Sequence, residues 1–93
     1  MINRIIRADI SDELDRQDQM WGENHTNEYP VWMTILGEEF GECCQALLKM
    51  RQMERDFPKF VPDRNGLKCL RRELVQVAAV AIYAIGQIDK ELK

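Results

Sequence analysis

Apolar residues recur along three stretches of the sequence with the spacing of one helix face. In the first stretch, from about position 2 to 21, Ile2, Ile6 and Ile10 lie four residues apart. Ser11 precedes two acidic residues and is a possible N-cap. The pattern therefore allows either one helix or two helices that meet near Ser11.

Two further helices are predicted, between about 30 and 53 and between about 67 and 92. The second stretch has a proline at its start, where the missing N–H costs nothing. The third has Asn65 as its candidate N-cap. Polar segments that contain proline or glycine, 22–30 and 55–66, separate the helices and are predicted loops.

The segment 77–85, "VAAVAIYAI", is apolar on every side of a helix. Such a helix is normally buried on all sides, yet two other helices of a 93-residue chain cannot cover it. We therefore expect one all-α domain, 1–93, a bundle of about three main helices that is completed by a homodimer or tetramer.

Composition narrows the functional classes. The net charge is −3, which argues against a nucleic-acid binder. The longest apolar run is far shorter than the ~20 residues of a membrane span, and the first residues lack the pattern of a signal peptide. Three cysteines without a C-x-x-C pair, and a single histidine, favour reduced thiols in a cytoplasmic protein over a zinc site.

Two acid-bearing patterns interrupt the apolar helices. "GEEFGECC" at 37–44 sets Glu39 and Glu42 three residues apart, and Glu73 and Gln76 repeat that spacing on the third helix. Because such pairs share a helix face, two antiparallel helices would present all four side chains to one another. Clustered carboxylates repel unless a cation lies between them, and oxygen ligands suit Mg²⁺ or Mn²⁺.

The other interpretation of these acids is a solvated edge on which they pair with nearby Lys49, Arg71 or Arg72. A di-iron site is disfavoured because such bundles use Glu-x-x-His, and the one histidine lies in a predicted loop.

Three stretches together resemble the MazG-like all-α nucleotide pyrophosphohydrolases: "RQDQMWGENH", "ILGEEFGECCQALLK" and "LRRELVQVAAVAIYAI". The resemblance covers about 15–88. It implies a helical bundle completed in a dimer or tetramer, and Mg²⁺-dependent cleavage of nucleoside triphosphates between the α and β phosphates.

By position, the resemblance implies metal ligands at Glu39, Glu42 and Glu73. The fourth ligand of the family, usually aspartate, falls on Gln76, which brings an oxygen but no charge. The alternative is thus a non-catalytic helical module that binds a nucleotide or mediates dimerisation. Glu38, or the ion itself acting on a water, is the candidate base.

Basic residues are concentrated before and within the third predicted helix, and cations there are candidates to hold the β and γ phosphates. The candidates are Lys49, Lys68, Arg71 and Arg72. An ordinary solvated face is the alternative.

The base and sugar are expected to contact the segment after the first helix. Trp21 is a candidate to stack on the base, and Asn24 and His25 are candidates to hydrogen-bond to it. Packing of Trp21 into the core is the competing interpretation.

Overall fold

The computed structural model describes residues 2–23, 25–53 and 63–93, and these residues form three helices and no strand. In chain order the helices are α1 (Arg4–Trp21), α2 (Tyr29–Met53) and α3 (Arg64–Glu91). The all-α prediction is confirmed. Within the same residues, no helix has the length and apolar character needed to cross a bilayer.

α1 is one uninterrupted helix. Its N-cap is Asn3, whose side-chain oxygen accepts a hydrogen bond from the N–H of Ile6 at 2.8 Å. The helix ends before Gly22, which has φ +86° and donates its N–H to the carbonyl of Asp18. Ser11 therefore lies inside a helix, and the possible break there does not occur.

α3 begins earlier than the sequence predicted. Asp63, and not Asn65, is the N-cap, because its carboxylate accepts from the N–H of Gly66 at 2.7 Å. A carboxylate at this position also stabilises the positive end of the helix dipole, which favours the earlier start. The predicted loop 55–66 thus extended too far, and its first part lies outside the described residues.

The core lies between α2 and α3. Trp32 of α2 is 2% exposed and packs with Val80 and Ala84 of α3. The indole N–H of Trp32 donates to Gln87 Oε1 at 2.8 Å, so its polar atom is satisfied. α3 also packs against α1, and is therefore the helix that joins the other two.

The apolar segment of α3 is covered on one side only within the chain. Ala79 is fully buried, but Ile82 and Ile85 are 42% and 55% exposed. Contacts among the described residues thus leave apolar side chains of α3 exposed, as the sequence predicted; what covers that surface stays a prediction.

Candidate functional site

Three carboxylates from two helices converge. Glu39 and Glu42 project from α2 and Glu73 from the facing side of α3, and one oxygen of each lies within 4.8 Å of the others. Glu39 and Glu73 are half-buried, whereas Glu42 is exposed. The structure therefore brings together the three acids that helical spacing had placed on facing surfaces. We call these three residues the acidic cluster.

Gln76 completes the cluster. With its amide nitrogen turned towards the acids, Gln76 donates to Glu39 Oε2 and to Glu73 Oε2, each at 3.2 Å. Gln76 therefore lies at the position expected for the fourth ligand, and its hydrogen bond to Glu39 connects α3 to α2. The amide adds two donors without adding negative charge.

Burial and mutual repulsion raise the pKa of two carboxyl groups in the cluster. For Glu39, partial burial has the largest effect, followed by the charges of Glu42 and Glu73. For Glu73, burial is again first, followed by a hydrogen bond with Glu42. A raised carboxyl pKa means that the charged form is disfavoured, so the cluster is stabilised by a proton or by a cation.

The donor set suits a hard divalent cation. All three charged ligands are carboxylate oxygens, with an amide oxygen available from Gln76 after rotation of its side chain. Oxygens bound to one octahedral Mg²⁺ lie about 3.0 Å apart when adjacent and about 4.2 Å apart when opposite, so the glutamate side chains would have to move closer together to share an ion. Mg²⁺ and Mn²⁺ both fit these residues.

Glu38, the candidate base, is exposed on α2 and is not one of the three converging acids. One residue corresponds to about 100° around a helix, so the direct neighbour of Glu39 points elsewhere. Its role in the chemistry stays a prediction.

Sequence reasoning missed a polar group that α1 contributes beside the cluster. Arg16 donates to both oxygens of Glu13, from Nε at 2.9 Å and from Nη2 at 2.6 Å, and Gln17 also donates to Glu13 at 2.7 Å. The positive charge of Arg16 partly offsets the rise in the pKa of Glu39. The available signal was the i, i+3 spacing of Glu13 and Arg16.

An open cleft of about 400 Å³ runs between α1 and α3. The predicted phosphate-binding residues Lys68, Arg71 and Arg72 line it, together with Arg16 and three acids of α1. Arg71 Nη1 lies 2.7 Å from Asp9 Oδ2, so this guanidinium is already paired. The fourth predicted cation, Lys49, is exposed on α2 and is not among the residues of this cleft.

The segment between α1 and α2 carries the predicted base-binding residues. His25 stacks at a tilt on Tyr83, with ring centroids 4.5 Å apart, and its Nδ1 lies 3.0 Å from the carbonyl oxygen of Gly22. It also lines a second cleft of about 340 Å³. Trp21 is 65% exposed, so it lies outside the core that the described residues of one chain form. Asn24 lies outside the described residues.

Tyr83 anchors this second cleft to α1. Its hydroxyl lies 2.7 Å from the carbonyl oxygen of Leu14 and is also hydrogen-bonded to the Asp18 carboxylate. Burial and the bond with Asp18 raise the pKa of Tyr83, which therefore stays a neutral donor. Tyr83 lies seven residues after Gln76, about 10 Å further along α3, so the two clusters occupy one side of the same helix.

The connection itself is held by Gln87. Its Nε2 donates to the carbonyl of Asn27 at 2.7 Å, and its Oε1 accepts from the N–H of Asn27 at 3.2 Å. Because Oε1 also accepts from Trp32, one side chain fastens the segment after α1 to both other helices.

Comparison of the chain with known protein families, with characterised proteins and with solved structures finds no match.

Proposed function

We propose that this chain is a Mg²⁺-dependent nucleoside triphosphate pyrophosphohydrolase of the MazG-like type. The observation that carries the proposal is the convergence of Glu39, Glu42 and Glu73 within 4.8 Å. The sequence resemblance supplies the reaction, and the geometry supplies a place that fits its cation.

In the proposed reaction, a water oxygen attacks the α phosphorus and the bond to the α–β bridging oxygen breaks, which gives a nucleoside monophosphate and pyrophosphate. Bound Mg²⁺ would neutralise the charge of the triphosphate and polarise the α-phosphate. The acidic cluster holds the cation, and Lys68 and Arg72 line the adjacent cleft as donors to the remaining phosphates.

His25 and Tyr83 form the candidate base-binding region, since their rings lie in tilted contact and border a cleft on the same side of α3 as the acids. Trp21 is exposed and free to stack on a base. Glu38 remains the candidate general base from the sequence alone, since its exposed side chain lies outside the acidic cluster.

A homodimer or tetramer is part of the proposal. The accessible surface of the chain is 7526 Å², whereas a folded monomer of 10.9 kDa is expected to expose about 5,600 Å². The radius of gyration is 15.8 Å, against about 12 Å for a compact chain of this length. Exposed apolar residues on α3, such as Ile82 and Ile85, supply the surface that a second copy would bury.

We place the protein in the cytoplasm, where nucleoside triphosphates are abundant. Its three cysteines, Cys43, Cys44 and Cys69, are all unpaired, which is usual in a reducing compartment.

One observation favours a second candidate function, a non-catalytic nucleotide-binding or dimerisation module. Gln76 donates to Glu39 and Glu73 and so stabilises part of the acidic cluster without a metal. In that case the cluster would serve helix packing or ligand binding and not hydrolysis.

The test is pyrophosphate release from a panel of nucleoside and deoxynucleoside triphosphates with Mg²⁺ or Mn²⁺, and with EDTA as the metal-free control. We expect turnover that requires the metal and falls at least about 100-fold in Glu42→Gln, because one of three charged ligands is lost. Folded protein that binds nucleotides without releasing pyrophosphate would establish the second function instead.

A further inference from the structure

We propose that Arg16 of α1 binds the polyphosphate chain of the substrate in the cleft between α1 and α3. The inference rests on the proposed function, since it assigns the part of the site that takes the β and γ phosphates. Arg16 is the first residue of the "RQDQMWGENH" stretch, but the sequence did not assign it to phosphate binding.

Arg16 is held in place before any ligand arrives. Its Nε and Nη2 donate to the two oxygens of Glu13, whose side chain is only 11% exposed. Gln17, itself 8% exposed, fixes Glu13 from the other side with a 2.7 Å hydrogen bond. A guanidinium fixed in this way loses little conformational freedom when it binds an anion.

The pairing with Glu13 leaves donors available. A guanidinium has five N–H bonds, of which two reach Glu13, and Nη1 lies 2.9 Å from the sulfur of Met20. The side chain of Arg16 is 50% exposed and borders the cleft. The remaining N–H groups suffice for two hydrogen bonds to phosphate oxygens.

The charge of Arg16 also acts on both parts of the proposed site. Its charge acts on Glu39 of the acidic cluster, and it shares the cleft with Lys68 and Arg72. Arg72 also lines this cleft, and its charge acts on Glu73 of the cluster. Arg71, in contrast, is paired with Asp9.

The probe is inorganic tripolyphosphate, whose binding is measured by calorimetry with Mg²⁺ and does not require turnover. We expect Arg16→Gln to weaken binding about tenfold, as the loss of a charge-assisted hydrogen bond would, and Arg16→Lys to weaken it less. Arg7→Gln removes a positive charge from an exposed position on the same helix, outside the cleft, and should change binding less than twofold.

Glu13→Gln separates binding from packing. If Arg16 binds phosphate, Arg16→Gln should weaken binding about tenfold in the Glu13→Gln background as well. If Arg16 serves only to neutralise Glu13, adding Arg16→Gln to Glu13→Gln should leave binding unchanged, which overturns the proposal. Circular dichroism confirms that each variant is folded, and Arg16→Lys keeps the test open if Arg16→Gln does not fold.

Different results would refute the hydrolase function and the phosphate-binding role of Arg16. Tripolyphosphate binding that depends on Arg16, without pyrophosphate release from any nucleotide, supports the binding role and refutes the hydrolase. Metal-dependent hydrolysis with wild-type tripolyphosphate affinity in Arg16→Gln refutes the role of Arg16 and leaves the hydrolase in place.

Discussion

Replacing Glu39 by glutamine should stabilise the metal-free protein and make it insensitive to Mg²⁺. The carboxylate of Glu39 lies within 4.8 Å of two others, and each such repulsion amounts to about 0.9 kcal/mol in water. Salt at 0.1 M reduces each interaction to roughly half, so removing both leaves a gain of about 1 kcal/mol. Glutamine is nearly the same size and still accepts the hydrogen bond from Gln76.

For a domain of this size, 1 kcal/mol corresponds to about 4–8 °C in Tm. The wild type, in contrast, gains about 2.7 kcal/mol when Mg²⁺ is present at 100 times its Kd, since the ion binds only the folded form. Glu39→Gln should therefore melt above the wild type in EDTA and below it in saturating Mg²⁺.

The assay is thermal unfolding followed by circular dichroism, at one fixed protein concentration because the melting of an oligomer depends on concentration. Glu38→Gln is the matched control: the charge change and the helix are the same, but this side chain is exposed outside the acidic cluster. The control should shift Tm less in EDTA and keep the full response to Mg²⁺. A lower Tm for Glu39→Gln in EDTA, or an equal Mg²⁺ response in all three proteins, would refute the reasoning.

Three further predictions follow from the same residues. Gln76→Asp adds a fourth charge to the acidic cluster, so it should tighten Mg²⁺ binding in a calorimetric titration and lower Tm in EDTA; weaker Mg²⁺ binding would contradict the ligand position. Trp32→Ala should cost about 3–5 kcal/mol in urea unfolding because it empties the core, whereas Trp21→Ala, at an exposed position, should cost under about 1 kcal/mol. In EDTA, the pKa values of Glu39 and Glu73 are raised in the folded protein. The contribution of these two groups to stability is therefore complete below about pH 4.5 and is lost as pH rises through their folded-state pKa values. The Tm difference between the wild type and Glu39→Gln should widen from pH 4.5 to 7.

The helices were predictable because each carries a long periodic pattern, and their ends were predicted less well. α2 begins one residue before the expected proline, and its described part reaches Met53. At α3, Asp63 and Asn65 are both good N-caps by residue type, and the sequence gives no way to rank them. The choice depends on where the first turn of α3 meets α2, and Gly66 lies so close to Met50 that an added Cβ would be 3.0 Å from its sulfur.

The grouping of Glu39, Glu42, Glu73 and Gln76 was predicted from spacing, with Glu38 left open as a further member. Glu38 and Glu42 also share a helix face, so spacing alone left Glu38 as a possible member. The position of α3 decides in favour of Glu39, because Glu73 and Gln76 face that side of α2. The sequence could not predict the contribution of Arg16 for the same reason. That contribution depends on how α1 packs against α3, and Gln17 is the single buried residue of α1.

α3 contacts both other helices and is the last of the three to be synthesised. During translation, α1 and α2 are therefore made before the surface that each of them packs on, and neither has a tertiary partner to hold it. Their apolar faces depend on α3 for burial, so chaperones would have their longest access to the nascent chain in this interval. A circular permutant that begins with α3 would give each later helix a docking surface as soon as it leaves the ribosome.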